Sequence, residues 1–66
     1  MTAHVNGKPM ELPAESTIAG LIERLGLGPS RVAVEVNKEL VVKKQWESTR
    51  LKEGDRVEVV TFVGGG

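Results

Sequence analysis

Residues 16–26 read STIAGLIERLG and contain the helical pattern around which the rest of this sequence is arranged. The apolar positions recur at the i, i+3, i+4, i+7 spacing of one helix face, namely Ile18, Leu21, Ile22 and Leu25. The hydroxyl of Ser16 or Thr17 can cap the first turn, and Gly26 can end the helix in the left-handed conformation. The stretch therefore predicts one amphipathic helix of about ten residues.

Gly20 lies inside this predicted helix. A glycine there costs about 1 kcal/mol relative to alanine. Two interpretations stay open. Gly20 allows close approach of the helix to a neighbouring backbone, or it is a tolerated glycine without a packing role.

On the N-terminal side of the helix, the sequence predicts a β-hairpin. Apolar residues alternate with polar ones from Met1 to Val5 and run into Asn6-Gly7. This dipeptide suits the positive φ angles of a type I′ turn. In the second strand Met10 and Leu12 can face inward, and Pro9 has no N–H to donate, which places that strand at an edge of the sheet.

On the C-terminal side of the helix, two further strands are predicted. Residues 31–37 alternate so that one face carries Val32, Val34 and Val36. A turn at Asn37-Lys38-Glu39 leads into a short apolar strand at residues 40–42. In the polar segment that follows, Trp46 is expected to fill a small separate core beneath the loop, with a surface recognition role as the alternative.

The last strand is predicted at residues 56–63. Val57, Val59 and Thr61 share one face of it, and Glu58, Val60 and Phe62 share the other. An unpaired carboxylate resists burial, so the Glu58 face should look toward water and expose Val60 and Phe62. We therefore predict that Glu58, Val60, Phe62 and the adjacent Val63 form a docking patch for a partner protein. The alternative is that Phe62 folds back over an edge of the core.

The predicted order is strand, strand, helix, strand, short strand, strand. One helix lying across one mixed sheet of four to five strands covers these apolar faces economically. The fold class is therefore α+β, a roll of the β-grasp kind, formed by a domain at residues 1–63.

Composition excludes several classes of function. A chain of 66 residues forms one small domain and leaves little room for a deep catalytic cleft. The formal net charge of +0 gives no field that would attract nucleic acid or a membrane surface, and neither partner is expected. No apolar run approaches the ~20 residues needed to span a bilayer. The lack of cysteine suits a reducing compartment, so we expect a cytoplasmic protein.

We predict no catalytic, cofactor-binding or metal-binding site within the domain. The sole histidine, His4, lies on the outward face of the first strand, and no nucleophile or carboxylate stands at motif spacing from it. Glu35, Glu39 and Glu47 are scattered, without a ligand motif, and are expected to be solvated.

The sequence ends in the glycine tail Gly64-Gly65-Gly66, for which we predict a mobile segment at residues 64–66. Three extended residues span about 10 Å, enough to enter a partner's cleft. The terminal carboxylate is ionised at neutral pH. If a partner activates it with ATP as an acyl-adenylate, it becomes an electrophile that a sulfur or nitrogen nucleophile can attack.

These features resemble the ubiquitin-like sulfur carriers, and among them the ThiS family of thiamine biosynthesis. The likeness covers essentially the whole chain. Only the Gly65-Gly66 end is specific to the function. The other matching segments indicate the fold; they are Val5-Asn6-Gly7-Lys8, residues 17–26, residues 34–37, residues 53–58 and Val63.

The resemblance implies that the protein is a carrier and substrate rather than an enzyme. An E1-like adenylating enzyme of the ThiF type, using ATP and magnesium, would activate the carboxylate of Gly66. Sulfur from a cysteine desulfurase route would give a thiocarboxylate there, for delivery to the thiazole synthase ThiG, with Gly64 and Gly65 as the active tail. The alternatives are a carrier like the small subunit of molybdopterin synthase and a noncovalent ubiquitin-like binding module.

Overall fold

The structure is a computed structural model that describes residues 1–62, and Val63–Gly66 lie outside the described residues. Strands β1 and β2 come first, at Thr2–Val5 and Lys8–Glu11, followed by helix α1 at Ile18–Arg24. Strands β3, β4 and β5 follow at Val32–Val36, Glu39–Val41 and Arg56–Thr61. Single 3-10 turns occur at Pro29–Arg31 and Lys43–Gln45.

The five strands form one mixed sheet in the order β2-β1-β5-β3-β4. Strands β1 and β5 are parallel, and the other neighbours are antiparallel. Helix α1 buries its apolar face, formed by Ile18, Leu21 and Ile22. This arrangement confirms the predicted α+β β-grasp fold.

The predicted hairpin at Asn6-Gly7 is present, and the predicted turn after β3 closes a second hairpin in which Glu39 already belongs to β4. Each hairpin has a two-residue turn that begins with asparagine. Asn6 and Gly7 have φ angles of 52° and 83°, and Asn37 and Lys38 have φ angles of 52° and 72°. Positive φ at both central positions is the conformation of a type I′ turn. The prediction that Pro9 lies in an edge strand is also confirmed, since β2 ends the sheet.

Helix α1 has seven residues, fewer than the ten or so expected. It begins after Thr17, whose Oγ1 accepts a hydrogen bond from the Gly20 N–H at 3.1 Å. The N–H groups of Ile18 and Ala19 have no acceptor within the helix and donate instead to the carbonyls of Thr49 and Trp46. The loop after β4 thus fixes the start of the helix. Within residues 1–62, no helix is long and apolar enough to cross a membrane.

The helix ends as the sequence predicts. Leu25 caps the last turn, and Gly26 follows with a φ of +72°. That left-handed conformation costs little for glycine because it has no Cβ.

Trp46 is buried, with 4% of its surface exposed, and its indole N–H donates to the Val41 carbonyl at 2.9 Å. The prediction of burial is confirmed, so the alternative of a surface recognition residue is wrong. The expectation of a separate small core is also wrong. The side chain belongs to the one hydrophobic cluster that includes Leu21, Val34 and Val57, because the loop around Trp46 packs against the start of α1.

The interpretation of Gly20 as a point of close backbone approach is wrong. A Cβ added there would meet Thr17 Oγ1 at 3.5 Å, an ordinary contact, and no other atom within 4 Å apart from its immediate surroundings in the helix. Gly20 is exposed. It is therefore a tolerated glycine.

We predict that Gly20→Ala raises the free energy of unfolding by about 0.5–1 kcal/mol, because alanine restricts the unfolded chain and has the higher helix propensity. Urea denaturation measures this change. The matched control is Gly26→Ala, which should be destabilising because an alanine is strained at a φ of +72°. A loss of stability in Gly20→Ala would contradict the analysis of this position.

Candidate functional site

The outward face of β5 forms the centre of the candidate site. Val57 and Val59 point into the core, with 1% and 8% of their surfaces exposed. Val60 and Phe62 point outward and are 58% and 54% exposed. The predicted orientation of the strand is confirmed, and Phe62 does not fold back over the core. Glu58 is exposed on the same face. The docking role assigned to these residues stays a prediction.

Two more apolar side chains on this face were missed in the sequence. Leu40 and Val42 are 66% and 51% exposed. In the sheet, Leu40 lies opposite Glu35 of β3, while Val41 lies opposite Val34 and packs against the core. The exposure of Leu40 could have been predicted from the sequence. A two-residue turn after Val36 fixes Leu40 opposite Glu35, on the water-facing side.

We call the exposed large hydrophobic residues of β4, β5 and the positions directly after these strands the outer patch: Leu40, Val42, Val60 and Phe62. They are the large hydrophobic side chains exposed within the part of the chain that the structure describes. Ala33 of β3 is the direct cross-strand neighbour of Val60. An exposed apolar patch on a small domain indicates an interaction surface.

Two carboxylates adjoin the outer patch. Glu35 and Glu58 lie directly opposite each other in the β3–β5 register, and both are exposed. Within residues 1–62, the ion pairs that form do not include either of them. Like charges directly opposite on one sheet face are destabilising. The outward face thus combines apolar surface with two neighbouring carboxylates, and Arg56 shares the exposed face of β5 with Glu58.

We predict that Glu58→Lys raises the free energy of unfolding by about 0.5 kcal/mol at low salt, because it converts the repulsive pair with Glu35 into an attractive one. Glu35→Lys should have a similar effect. In the double variant the two lysines repel each other, so the gain should disappear. Urea denaturation at low and high salt measures all three variants. Equal gains in the single and double variants would show that this pair does not interact.

Hydrogen bonds hold β5 firmly at both ends of its described length. Before the strand, the buried carboxylate of Asp55 accepts from the Lys52 N–H at 2.8 Å and from Asn37 Nδ2 at 3.1 Å. At the other end, the Phe62 N–H donates to the Arg31 carbonyl at 2.7 Å. Val60 and Phe62 of the outer patch therefore lie on a backbone that is hydrogen-bonded at both ends of β5.

The remaining predicted site residues are Val63, Gly64, Gly65 and Gly66, and they lie outside the described residues. Their roles in docking and in transfer stay predictions. So does the proposed division between a domain at residues 1–63 and a tail at residues 64–66. Strand β5 ends at Thr61, and Phe62 is the last described residue before this segment.

The scattered carboxylates and the histidine do not assemble into a metal site in the described part of the chain. Residues 1–62 contain no group of three or more His, Asp or Glu side chains close enough to hold an ion. His4 is half-buried on β1, with Arg56 as its cross-strand partner.

Comparisons with known proteins by sequence and by structure indicate the same family. A family model described as the ThiS family matches residues 3–66. A sulfur carrier protein ThiS from Bacillus subtilis is 36% identical over 63 residues, covering 94% of this chain and 96% of that protein. A crystal structure of a thiamine biosynthesis protein (ThiS) from Geobacter metallireducens superposes with a TM-score of 0.85 at 33% identity, over all of both chains.

A relative of different size is also similar. A thiazole synthase from Magnetococcus marinus is 44% identical over 66 residues. The match covers all of this chain but only 20% of that protein. The chain thus spans about one fifth of the length of this longer relative.

Proposed function

The chain belongs to the ThiS family, and on that premise we propose that it is a sulfur carrier of thiamine biosynthesis, acting as substrate and donor rather than as an enzyme. The observation that carries the proposal is the position of the outer patch. Val60 is exposed on β5 and Phe62 is exposed directly after it, a few positions in sequence before Gly64-Gly65-Gly66. A partner that docks on this patch receives the end of the chain at the same time.

The proposed chemistry takes place at Gly66. Its carboxylate oxygen attacks the α-phosphorus of ATP in the active site of an adenylating enzyme of the ThiF type. Pyrophosphate leaves, and magnesium held by that enzyme neutralises the phosphate charge. Hydrosulfide then attacks the acyl carbon, and AMP leaves. The product is a thiocarboxylate on Gly66. In the cell a cysteine desulfurase route supplies the sulfur as a persulfide, and a thiol reductant supplies the two electrons that release it as hydrosulfide. Since the steps draw on ATP, we assign them to the cytoplasm.

The glycine composition of residues 64–66 suits this chemistry. Without Cβ atoms, the segment can pass through a channel too narrow for other residues. The adenylating enzyme then needs to supply the nucleotide site and the catalytic groups. The carrier supplies a recognisable surface and an unhindered carboxylate.

We propose a thiazole synthase of the ThiG type as the recipient of the sulfur. The longer relative from Magnetococcus marinus supports this, because a protein named thiazole synthase contains a stretch similar to the whole of this chain. A carrier and the protein that consumes its cargo gain effective concentration when they share a polypeptide. The family match favours this recipient over molybdopterin synthase.

We predict that incubation with a ThiF-type enzyme, ATP, magnesium and sulfide raises the intact mass by the replacement of one oxygen with sulfur at Gly66. Deletion of Gly65-Gly66 should abolish the mass gain and leave the circular dichroism spectrum unchanged, because the domain core lies within residues 3–59. Mass spectrometry of both proteins measures the result. An equal mass gain in the truncated chain would exclude the carrier function at Gly66.

We predict that Phe62→Ala weakens binding to the adenylating enzyme by about 2 kcal/mol, as expected for an aromatic anchor. Leu40→Ala should weaken it as well, since Leu40 belongs to the same outer patch. The control is Lys8→Ala on the edge strand β2, where an exposed side chain lies away from the patch. Isothermal titration calorimetry compares the three. Wild-type affinity in Phe62→Ala would remove this residue from the interface.

The choice of recipient needs a separate experiment. The thiocarboxylate form is mixed either with ThiG and its substrates or with the large subunit of molybdopterin synthase and its precursor. Thiazole formation without molybdopterin formation is the expected outcome. The reverse outcome would assign the carrier to the molybdopterin pathway.

A further inference from the structure

The side chain of Asn6 makes two hydrogen bonds to a single residue in the middle of β5. The Val59 N–H donates to Asn6 Oδ1 at 2.8 Å, and Asn6 Nδ2 donates to the Val59 carbonyl at 3.2 Å. A carboxamide offers one acceptor and one donor side by side. It therefore engages the Val59 backbone as a neighbouring strand residue would.

The position of Val59 explains why this contact matters. Strand β1 bonds β5 through the His4 N–H to the Asp55 carbonyl and the Asn6 N–H to the Val57 carbonyl, each at 2.8 Å. Strand β1 then ends at Val5 and turns into β2. The next backbone groups on this side of β5 are those of Val59. Without Asn6 they would face an open edge, so its side chain extends the β1–β5 pairing by one residue.

The turn itself does not require this side chain. Asn6 has a φ of 52°, a backbone conformation that glycine adopts at least as readily because it has no Cβ. The two hydrogen bonds of the carboxamide are therefore not needed to form the hairpin. These bonds are made next to Val60, in the second half of β5.

Asn37 provides an internal comparison. It also opens a two-residue turn with a φ of 52°. Its Oδ1 accepts from the Arg56 N–H at 3.1 Å, and its Nδ2 donates to Asp55 Oδ1 at 3.1 Å. Two asparagines in equivalent turns thus bind the same strand, Asn37 at its beginning and Asn6 in its second half.

We propose that Asn6 is a positioning residue for the carrier function: it fixes the second half of β5, and with it Val60 and Phe62 of the outer patch, in the geometry that the adenylating enzyme binds. The inference rests on the proposed function. It differs from a general contribution to stability because its effect is confined to the second half of β5.

The first test uses Asn6→Gly and Asn37→Gly, which keep both turns and each remove two side-chain hydrogen bonds. Amide hydrogen exchange of the isolated proteins is followed residue by residue by NMR. In Asn6→Gly the Phe62 amide should exchange about tenfold faster, although its own bond to Arg31 is untouched. In Asn37→Gly the Arg56 amide should exchange faster and Phe62 should stay at the wild-type rate.

Two results would overturn the structural half of the proposal. One is a wild-type exchange rate at Phe62 in Asn6→Gly. The other is an equal acceleration at Phe62 in both glycine variants, which would mean that the fold as a whole is loosened. Neither measurement involves a partner, so this arm can fail while the carrier function stands.

The second test measures adenylation with the carrier as the varied substrate. Asn6→Gly should raise the KM for the carrier about tenfold with little change in kcat, since docking and not the reacting carboxylate is affected. Asn37→Gly should keep the wild-type KM. An unchanged KM in Asn6→Gly, with faster exchange at Phe62, would reject the positioning role while loading of Gly66 continues. Absence of loading in the wild-type protein would instead reject the proposed function.

Discussion

The side chains of β5 alternate between the two faces of the sheet, and this alternation determines both the core and the exposed surface. This strand lies at the centre of the sheet, bonded to parallel β1 on one side and antiparallel β3 on the other. Because both neighbours fix its register, Val57 and Val59 must face the helix and Val60 must face water. A slip by one residue would bury Glu58 without a partner and expose the core. The same pairing that forms the core therefore creates the exposed surface.

The outward face combines features that do not favour stability. Large apolar side chains remain in water, and Glu35 and Glu58 repel each other across the strands. In a domain of 66 residues, where the buried core is small, each such loss is a substantial share of the total stability. Under the proposed function these features serve association. A partner that covers the apolar surface and places a cation near the two carboxylates removes both penalties at once.

Local chemistry made much of the fold predictable from the sequence. Asn6-Gly7 specified one turn, Thr17 and Gly26 bounded the helix, and the alternation in β5 oriented its side chains. The errors concern contacts between distant segments. The helix is shorter than its apolar period suggests because it begins only after the Thr17 cap, where the loop near Trp46 accepts from its first N–H groups, and ends before the Leu25 cap. Gly20 gives no clue in sequence as to whether another backbone approaches it.

The candidate site was predictable in part for the same reason. Val60 and Phe62 followed from one strand alone, whereas Leu40 required the register that the preceding turn imposes on β4. Asn6 shows the limit most clearly. Its turn role is legible in the dipeptide, but its bonds reach 53 positions along the chain to Val59. Asn6 thus combines the positive φ angle of its turn with a long-range contact, and the turn motif alone does not reveal that contact. Where one strand extends beyond the end of its neighbour, an asparagine in the turn that follows the shorter strand can hydrogen-bond the next backbone groups of the longer strand.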